Sequence, residues 1–289
     1  MSYLIVTDAA SDLGAETVSK YSLAVIPMTV EIDGNNYLYG GDESTITCTE
    51  FYDLERKGYY ANTSRIAPDV FKRYFAKYLE QGMDILYLCF SSGLSGTFES
   101  ACLAVEQLKA EYPERMIYCI DTLCASVGQA FLVLEALDRQ AEGYSMKELA
   151  NWVGGHIFHT DHWFTLDTLS HLVKGGRITP AAASLGRIVQ LKPMLRLNAQ
   201  GKLTIQSKPR GHKKSLRLLL KQMEDHWLPL EGKRVIIGHG GMPEYAEELQ
   251  MMVKEKFPES QIQIMEIGPV IGSHTGPGML ALIFWGDIR

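Results

Sequence analysis

Ile85-Leu86-Tyr87-Leu88-Cys89-Phe90, running straight into Ser91-Ser92-Gly93-Leu94-Ser95-Gly96-Thr97, decides the fold. Six apolar residues in a row, closed by small polar ones, read as a buried strand. The small residues lead into a helical pattern over residues 98–111. Strand, glycine-containing loop and helix in that order form half of a βαβ unit. Such units assemble parallel sheets covered by helices.

Working outward, the pattern repeats. Tyr3-Leu4-Ile5-Val6 is a short apolar run ending at Thr7-Asp8. Residues 23–32 are β-rich and close at the turn pair Asp33-Gly34. Thr47, with Glu50 three positions on, marks a helix start. Residues 68–81 carry Val70, Phe71, Tyr74, Phe75 and Tyr78 at helical spacing. On the other side, residues 116–120 read as a strand ending at Asp121, and residues 125–142 as a long helix stopped by Gly143. Thr7-Asp8, Ser91-Ser92 and Asp121-Thr122 all follow strands. Ligands of open α/β sheets bind beyond the carboxyl ends of strands, so these clusters are expected to converge on one crevice.

The second half has another texture. Strand patterns at residues 163–166, 194–197, 203–207, 234–238, 262–267 and 280–285 alternate with helical ones at 215–223 and 244–256. Asn198-Ala199-Gln200-Gly201 reads as a hairpin turn. A chain of 289 residues sits at the edge of what one core can serve. The expectation is an α/β protein of two domains, residues 1–158 and 159–289.

Composition is ordinary for a globular protein, with 46% hydrophobic and 21% charged residues. A net charge of −6 argues against nucleic acid as a partner, because phosphate neutralisation needs a positive face. No apolar run reaches membrane-spanning length, so no stable membrane insertion is expected. Residues 1–6 enter a strand pattern without the basic start and long apolar stretch of a signal peptide. Cys48, Cys89, Cys102, Cys119 and Cys124 are odd in number and contain no C-x-x-C spacing. A reducing cytoplasm fits, and neither a disulfide framework nor a zinc cluster does.

Four segments carry chemistry. Thr63-Ser64 precedes a helix whose first turn holds Pro68. Its hydroxyls suit either helix capping or donation to an oxyanion. In residues 91–97, Ser92, Gly93, Ser95, Gly96 and Thr97 let backbone approach a ligand, and successive N–H groups there can form an anion-binding nest. The loop lacks the Gly-Lys-Ser/Thr of a phosphate-binding P-loop. Lys174-Gly175-Gly176-Arg177-Ile178 reads as a tight turn whose arginine either pairs with a carboxylate or faces water. Residues 268–278 hold four glycines and two prolines around His274 and Thr275, which reads as a shaped loop serving a site.

Taken in order, these segments resemble the DegV family, the fatty-acid-binding proteins of bacteria. The resemblance rests on Val6-Thr7-Asp8 with Ser11-Asp12, Pro27-Met28-Thr29-Val30, Thr63-Ser64 and residues 91–97. It continues through Asp121-Thr122 with Ser126, Gly175-Gly176-Arg177-Ile178, Leu191-Lys192-Pro193, Arg210-Gly211 with Lys213-Lys214, and residues 268–278. It runs nearly end to end. It implies a DegV-like fold, with an N-terminal Rossmann-like parallel-sheet domain and a C-terminal α/β domain bearing a mixed sheet. It also implies one long-chain fatty acid, such as palmitate, stearate or oleate, held between the domains.

By the same resemblance the carboxylate is held by Thr63 and by Ser95 or Ser92, with Arg177 and His274 at the family's arginine and histidine positions. No cofactor and no catalysis are implied. The partner implied is a dihydroxyacetone-kinase-like fatty acid kinase subunit. One departure stands out: the family usually has Thr-Ser-Gln-Pro-Ser, and this chain has Thr-Ser-Arg-Ile-Ala, so that Arg65 either adds positive charge near the head group or only faces solvent. Physically, a buried carboxylate is costly unless hydrogen-bonded or paired. A tail of about sixteen methylenes contributes roughly 0.8 kcal/mol each on transfer, before ordering losses. Phe90, Ile26, Met28, Leu169 and Met194 are the expected sheath.

The rival from another class is a serine hydrolase of acyl esters using Ser95 or Ser92 with His274, though no strong nucleophile signature supports it. His156-x-x-His159-x-x-His162 has metal-like spacing, but no carboxylate or cysteine pattern beyond Asp161 completes a site, and no metal is expected. Lys208, Arg210, His212, Lys213, Lys214 and Arg217 form a basic cluster in an acidic chain. It reads as a solvated face or, at Arg210, Lys213 and Lys214, as a docking surface for the kinase.

Overall fold

The structure is a computed structural model describing residues 2–183, 191–229, 231–287 and 289. The first half contains β1 (Tyr3–Asp8), β2 (Ala24–Ile26), β3 (Met28–Ile32), β4 (Asn35–Tyr39), β5 (Asn62–Thr63), β6 (Asp84–Cys89) and β7 (Ile117–Asp121). The second contains β8 (Thr160–Thr165), β9 (Met194–Leu197), β10 (Leu203–Ser207), β11 (Arg234–His239), β12 (Gln261–Glu266) and β13 (Leu280–Trp285). β2-β1-β6-β7 is an all-parallel sheet. β10-β9-β8-β13-β11-β12 is mixed, with only β11 and β12 parallel. β4-β3-β5 is a small antiparallel sheet. This is the α/β class expected, with a parallel sheet first and a mixed sheet second.

The parallel register aligns the strand ends that matter. Thr7 pairs Leu88 and Cys89 pairs Asp121. The polar residues beyond them therefore meet: the Tyr87 hydroxyl donates to Asp8 Oδ2 at 2.7 Å, and the Ser92 N–H to Asp121 Oδ1 at 3.1 Å. Residues 23–32 are two strands rather than one. Pro27 cannot donate to a ladder, and the chain leaves the parallel sheet there to begin the small one.

Alternation in the mixed sheet sends side chains to two different cores. Ile236, Ala281 and Ile283 join the core shared with the first half, while Val235, Ile237, Leu280, Leu282 and Phe284 pack on the outer face. The amphipathic His212–His226 and Pro243–Lys256 helices supply Leu216, Leu219, Leu249 and Val253 to that outer layer. The Val127–Ala141 helix is buried along nearly its whole length and packs on both β6 and β8. A helix buried on nearly all sides belongs between two layers, and this one joins the halves, with its buried Glu135 and Arg139 paired at 2.9 Å.

The structure departs from expectation in two further places. Met146–His156 is a further helix, opened by a Ser145–Glu148 capping box, between the two expected domains' strands. Residues 268–278 are not a loop throughout: Pro269–Thr275 is a helix with proline in its first turn. It packs so tightly that a Cβ on Gly272 would lie 2.6 Å from the Phe51 ring. Gly272 serves close packing, while Gly276 and Gly278 beyond the helix take positive φ of 72° and 86°.

Candidate functional site

The two halves close on a narrow cavity of about 70 Å³. Its wall is mostly apolar, with Met28 and Phe90 from the first half facing Phe164, Ile271, Ala281 and Ile283 from the second. Of the expected sheath, Phe90 and Met28 are on this wall. Ile26 lies in the core, and Met194 turns to the outer layer of the mixed sheet. Leu169 packs against the main core without reaching the wall.

Of the expected binding residues, Thr63, Ser64, Ser95, Arg177, His274 and Thr275 are on the wall. Thr63, Arg177 and His274 also line a recess of about 130 Å³ with Asn62, His171 and Lys174. These three therefore stand where the cavity meets the surface.

Thr63 ends β5, held by pairing with Val30. Its Oγ1 lies 2.8 Å from Nε2 of His274, on the Pro269–Thr275 helix. Burial, aided by the positive charge of Arg177 and by His171, pulls the His274 imidazole down to about 4. The ring is neutral at pH 7, so one nitrogen donates and the other accepts. With the proton on Nε2, the ring donates to Thr63 and leaves the threonine O–H free to donate into the cavity. His274 Nδ1 is buried without a hydrogen-bond partner, 2.3 Å from where a Cβ on Gly175 would sit. Gly175 is what allows the ring its place.

Ser95 Oγ lies 2.8 Å from Oγ1 of the fully buried Thr97 and accepts the Thr97 N–H at 3.3 Å. A donating Thr97 hydroxyl frees that of Ser95 for a ligand. The anion nest expected in this loop is not formed. Ser92 N–H goes to Asp121, Gly93 N–H to Ser91 Oγ, and those of Leu94 and Ser95 to Ser91 O. Hydroxyls, not backbone amides, face the cavity.

Ser92 and Gly93 are off the cavity wall. A Cβ on Gly93 would lie 2.4 Å from the Gln200 carbonyl oxygen, so this glycine fits the loop against the β9–β10 turn. A Cβ on Gly96 would sit 3.0 Å from Arg65 Nη1, which puts the Arg65 side chain across the loop and on the cavity wall. Thr275 spends its hydroxyl proton on Ile271 O at 3.1 Å.

Arg177 donates through Nε to Leu94 O at 3.2 Å and through Nη1 to Gly175 O at 2.5 Å. It binds the serine loop to the glycine turn as well as facing the cavity. The serine–histidine pair a hydrolase needs is not formed: His274 Nε2 is on Thr63, and Ser95 Oγ is on Thr97.

Two polar wall residues, Ser126 and His162, are not among the expected site residues. Ser126 lies in the strained left-handed region at φ 54°, ψ −139°, and its hydroxyl donates to Asp12 Oδ2 at 2.6 Å. His162 is buried, with Nδ1 3.1 Å from Thr160 O. Alternation along β8 puts His162 on the same face as Phe164, the one signal that could have placed it. The three histidines of the 156–162 segment do not converge. His156 reaches Trp152 O and Glu231, His159 reaches Gly286 O, and His162 turns inward.

A family model described as "Uncharacterised protein, DegV family" matches residues 2–287. The chain belongs to the DegV family. A DegV domain-containing protein of Clostridium perfringens is 39% identical over 99% of this chain and 98% of its own length. Among solved structures, that of a DegV family protein from Thermus thermophilus, described by its fatty acid binding, superposes with a TM-score of 0.87. It is 31% identical and covers 99% of this chain and 100% of that one. The fatty acid kinase B3 protein of Streptococcus pneumoniae, loaded with linoleic acid, superposes with a TM-score of 0.85 over 99% of this chain and 100% of that one. At 20% identity that likeness speaks for the DegV fold alone.

Proposed function

We propose that the protein binds one long-chain fatty acid in the cavity between its halves and performs no chemistry on it. The observation that carries this is an apolar cavity reaching the surface at Thr63, His274 and Arg177. The acyl chain lies against Phe90, Met28, Phe164 and Ile283. The carboxylate takes hydrogen bonds from the Thr63 and Ser95 hydroxyls, with Arg177 and Arg65 supplying positive charge. The Thermus relative, described as binding fatty acid, supports the choice of ligand. Residues 1–158 carry the hydroxyl donors and residues 159–289 close over the tail.

The carboxylate is presented to a partner acyl kinase. An open groove runs from Leu94, Arg177 and Leu203, which also line the cavity, to Lys202 and Lys208. Exposed Arg210, Lys213 and Lys214 extend the positive charge beyond it. In a chain of net charge −6, this local patch suits an acidic or phosphate-bearing partner. Among the described residues no helix is long and apolar enough to cross a membrane, and a cytoplasmic setting matches a kinase partner and free cysteines.

The test is to incubate loaded protein with ATP and a dihydroxyacetone-kinase-like subunit, trapping acyl phosphate with hydroxylamine. Acyl hydroxamate should form with the kinase, not without it, and fall when Arg210, Lys213 and Lys214 are changed to Glu. Hydroxamate formed without kinase, or a charge-reversed protein with undiminished yield, would remove the presentation role.

A further inference from the structure

We propose that Asp161, His226 and Asp287 form a divalent-metal site on the face of the mixed sheet opposite the cavity. Asp161 lies in β8, His226 ends the His212–His226 helix, and Asp287 follows β13. Trp227 and Gly286 form an isolated antiparallel bridge, which holds their neighbours His226 and Asp287 side by side. His226 Nδ1 lies 3.1 Å from each oxygen of Asp287. One ligand atom from each of the three residues falls within 4.8 Å of the others.

The second observation is the state of Asp161. The residue is fully buried and its Oδ2 has no hydrogen-bond partner. Its Oδ1 accepts from Arg196 Nε at 2.9 Å and from the His162 N–H at 3.1 Å. A buried carboxylate oxygen without a donor is costly, and such an orphan calls for a water or an ion. Oδ2 lies 3.1 Å from where a Cβ on Gly286 would be, so it faces the turn that carries Asp287.

The neighbours fit the outer shell of a metal. The His226 ring stacks on Trp163 at 6.0 Å and 16° between planes, which fixes its orientation. Arg196 lies over the same indole at 5.1 Å and holds the Asp161 oxygen that does not ligate. Two carboxylates and an imidazole, without sulfur, suit Zn²⁺ in a tetrahedral site with water in the fourth position. Such an ion would clasp the helix end and the end of β13 to β8, whose other face lines the acyl cavity. The site is independent of the fatty-acid reading.

The experiment titrates EDTA-treated full-length protein with Zn²⁺ by calorimetry, and with Co²⁺ by its visible absorption. One Zn²⁺ per chain should bind, with tetrahedral Co²⁺ bands. His226→Gln and Asp287→Asn, both at partly or fully exposed positions, should each weaken binding by at least roughly tenfold. Fatty-acid content should stay unchanged, and a His156→Gln/His159→Gln control should bind as the parent does. Failure of the parent to take up Zn²⁺ stoichiometrically, or uptake indifferent to both ligand variants, would overturn the site.

Discussion

His274 Nε2 and Thr63 Oγ1 are 2.8 Å apart across 211 positions of sequence. The contact joins the last strand of the small sheet to a helix of the second half, at the mouth of the cavity. With its proton on Nε2, the neutral imidazole donates to the threonine oxygen and leaves the threonine O–H free to donate into the cavity.

Replacing Thr63 by Val keeps the shape and removes the donor. A hydrogen bond to a charged group contributes about 1.5–3 kcal/mol. Fatty-acid affinity should fall roughly ten- to a hundredfold, and Thr63→Ser should retain most of it. Displacement of a fluorescent fatty acid from delipidated protein measures both. A Val variant with unchanged affinity would remove Thr63 from the carboxylate site.

Adjacent glycines should behave oppositely. Gly175 has φ −74°, which alanine adopts freely, but its Cβ would lie 2.3 Å from His274 Nδ1. Gly175→Ala should displace the ring and weaken ligand binding. Gly176 has φ +73° with open space around it. Gly176→Ala should cost about 1–2 kcal/mol of stability through backbone strain and leave affinity alone. Melting temperature and ligand titration separate the two, and the reverse pattern would contradict the account of the ring's seat.

Burial, reinforced by the charges of Asp8 and Glu266, pushes the Asp12 carboxyl up to about 8, against hydrogen bonds from Ser126 and Gly268. Between an unfolded value of about 3.9 and that value, the folded chain holds a proton the unfolded chain lacks. The stability from this group is therefore full at acid pH and is lost as pH rises towards about 8. His274 acts oppositely, losing stability as pH falls from about 6.5 towards about 4. Asp12→Asn mimics the protonated acid and suits the left-handed φ of 54°. The melting-temperature difference, variant minus parent, should grow with pH across the neutral range. A constant difference would contradict a protonated Asp12.

The sequence made the strands legible wherever apolar runs were uninterrupted, as in β6, β11 and β13. The alternation between sheets also followed from strand and helix spacing. The Pro269–Thr275 helix was hidden because Gly272, which lets it approach Phe51, reads in sequence as loop material. Met194 was misplaced on the cavity wall because a one-residue phase decides which face of a strand is which. His162 was passed over for the same reason. Thr63 and Ser95 do reach the cavity wall, in segments the sequence already marks with small polar residues. The engagement of the loop amides by Asp121 and Ser91 depends on contacts no linear pattern carries.

Native mass spectrometry of the purified protein, followed by lipid extraction, tests the central claim most directly. The account predicts a mass increment of one long-chain fatty acid, lost in a Thr63→Ala/Ser95→Ala double variant that still folds. A parent protein that carries no lipid and takes up neither palmitate nor oleate would contradict it.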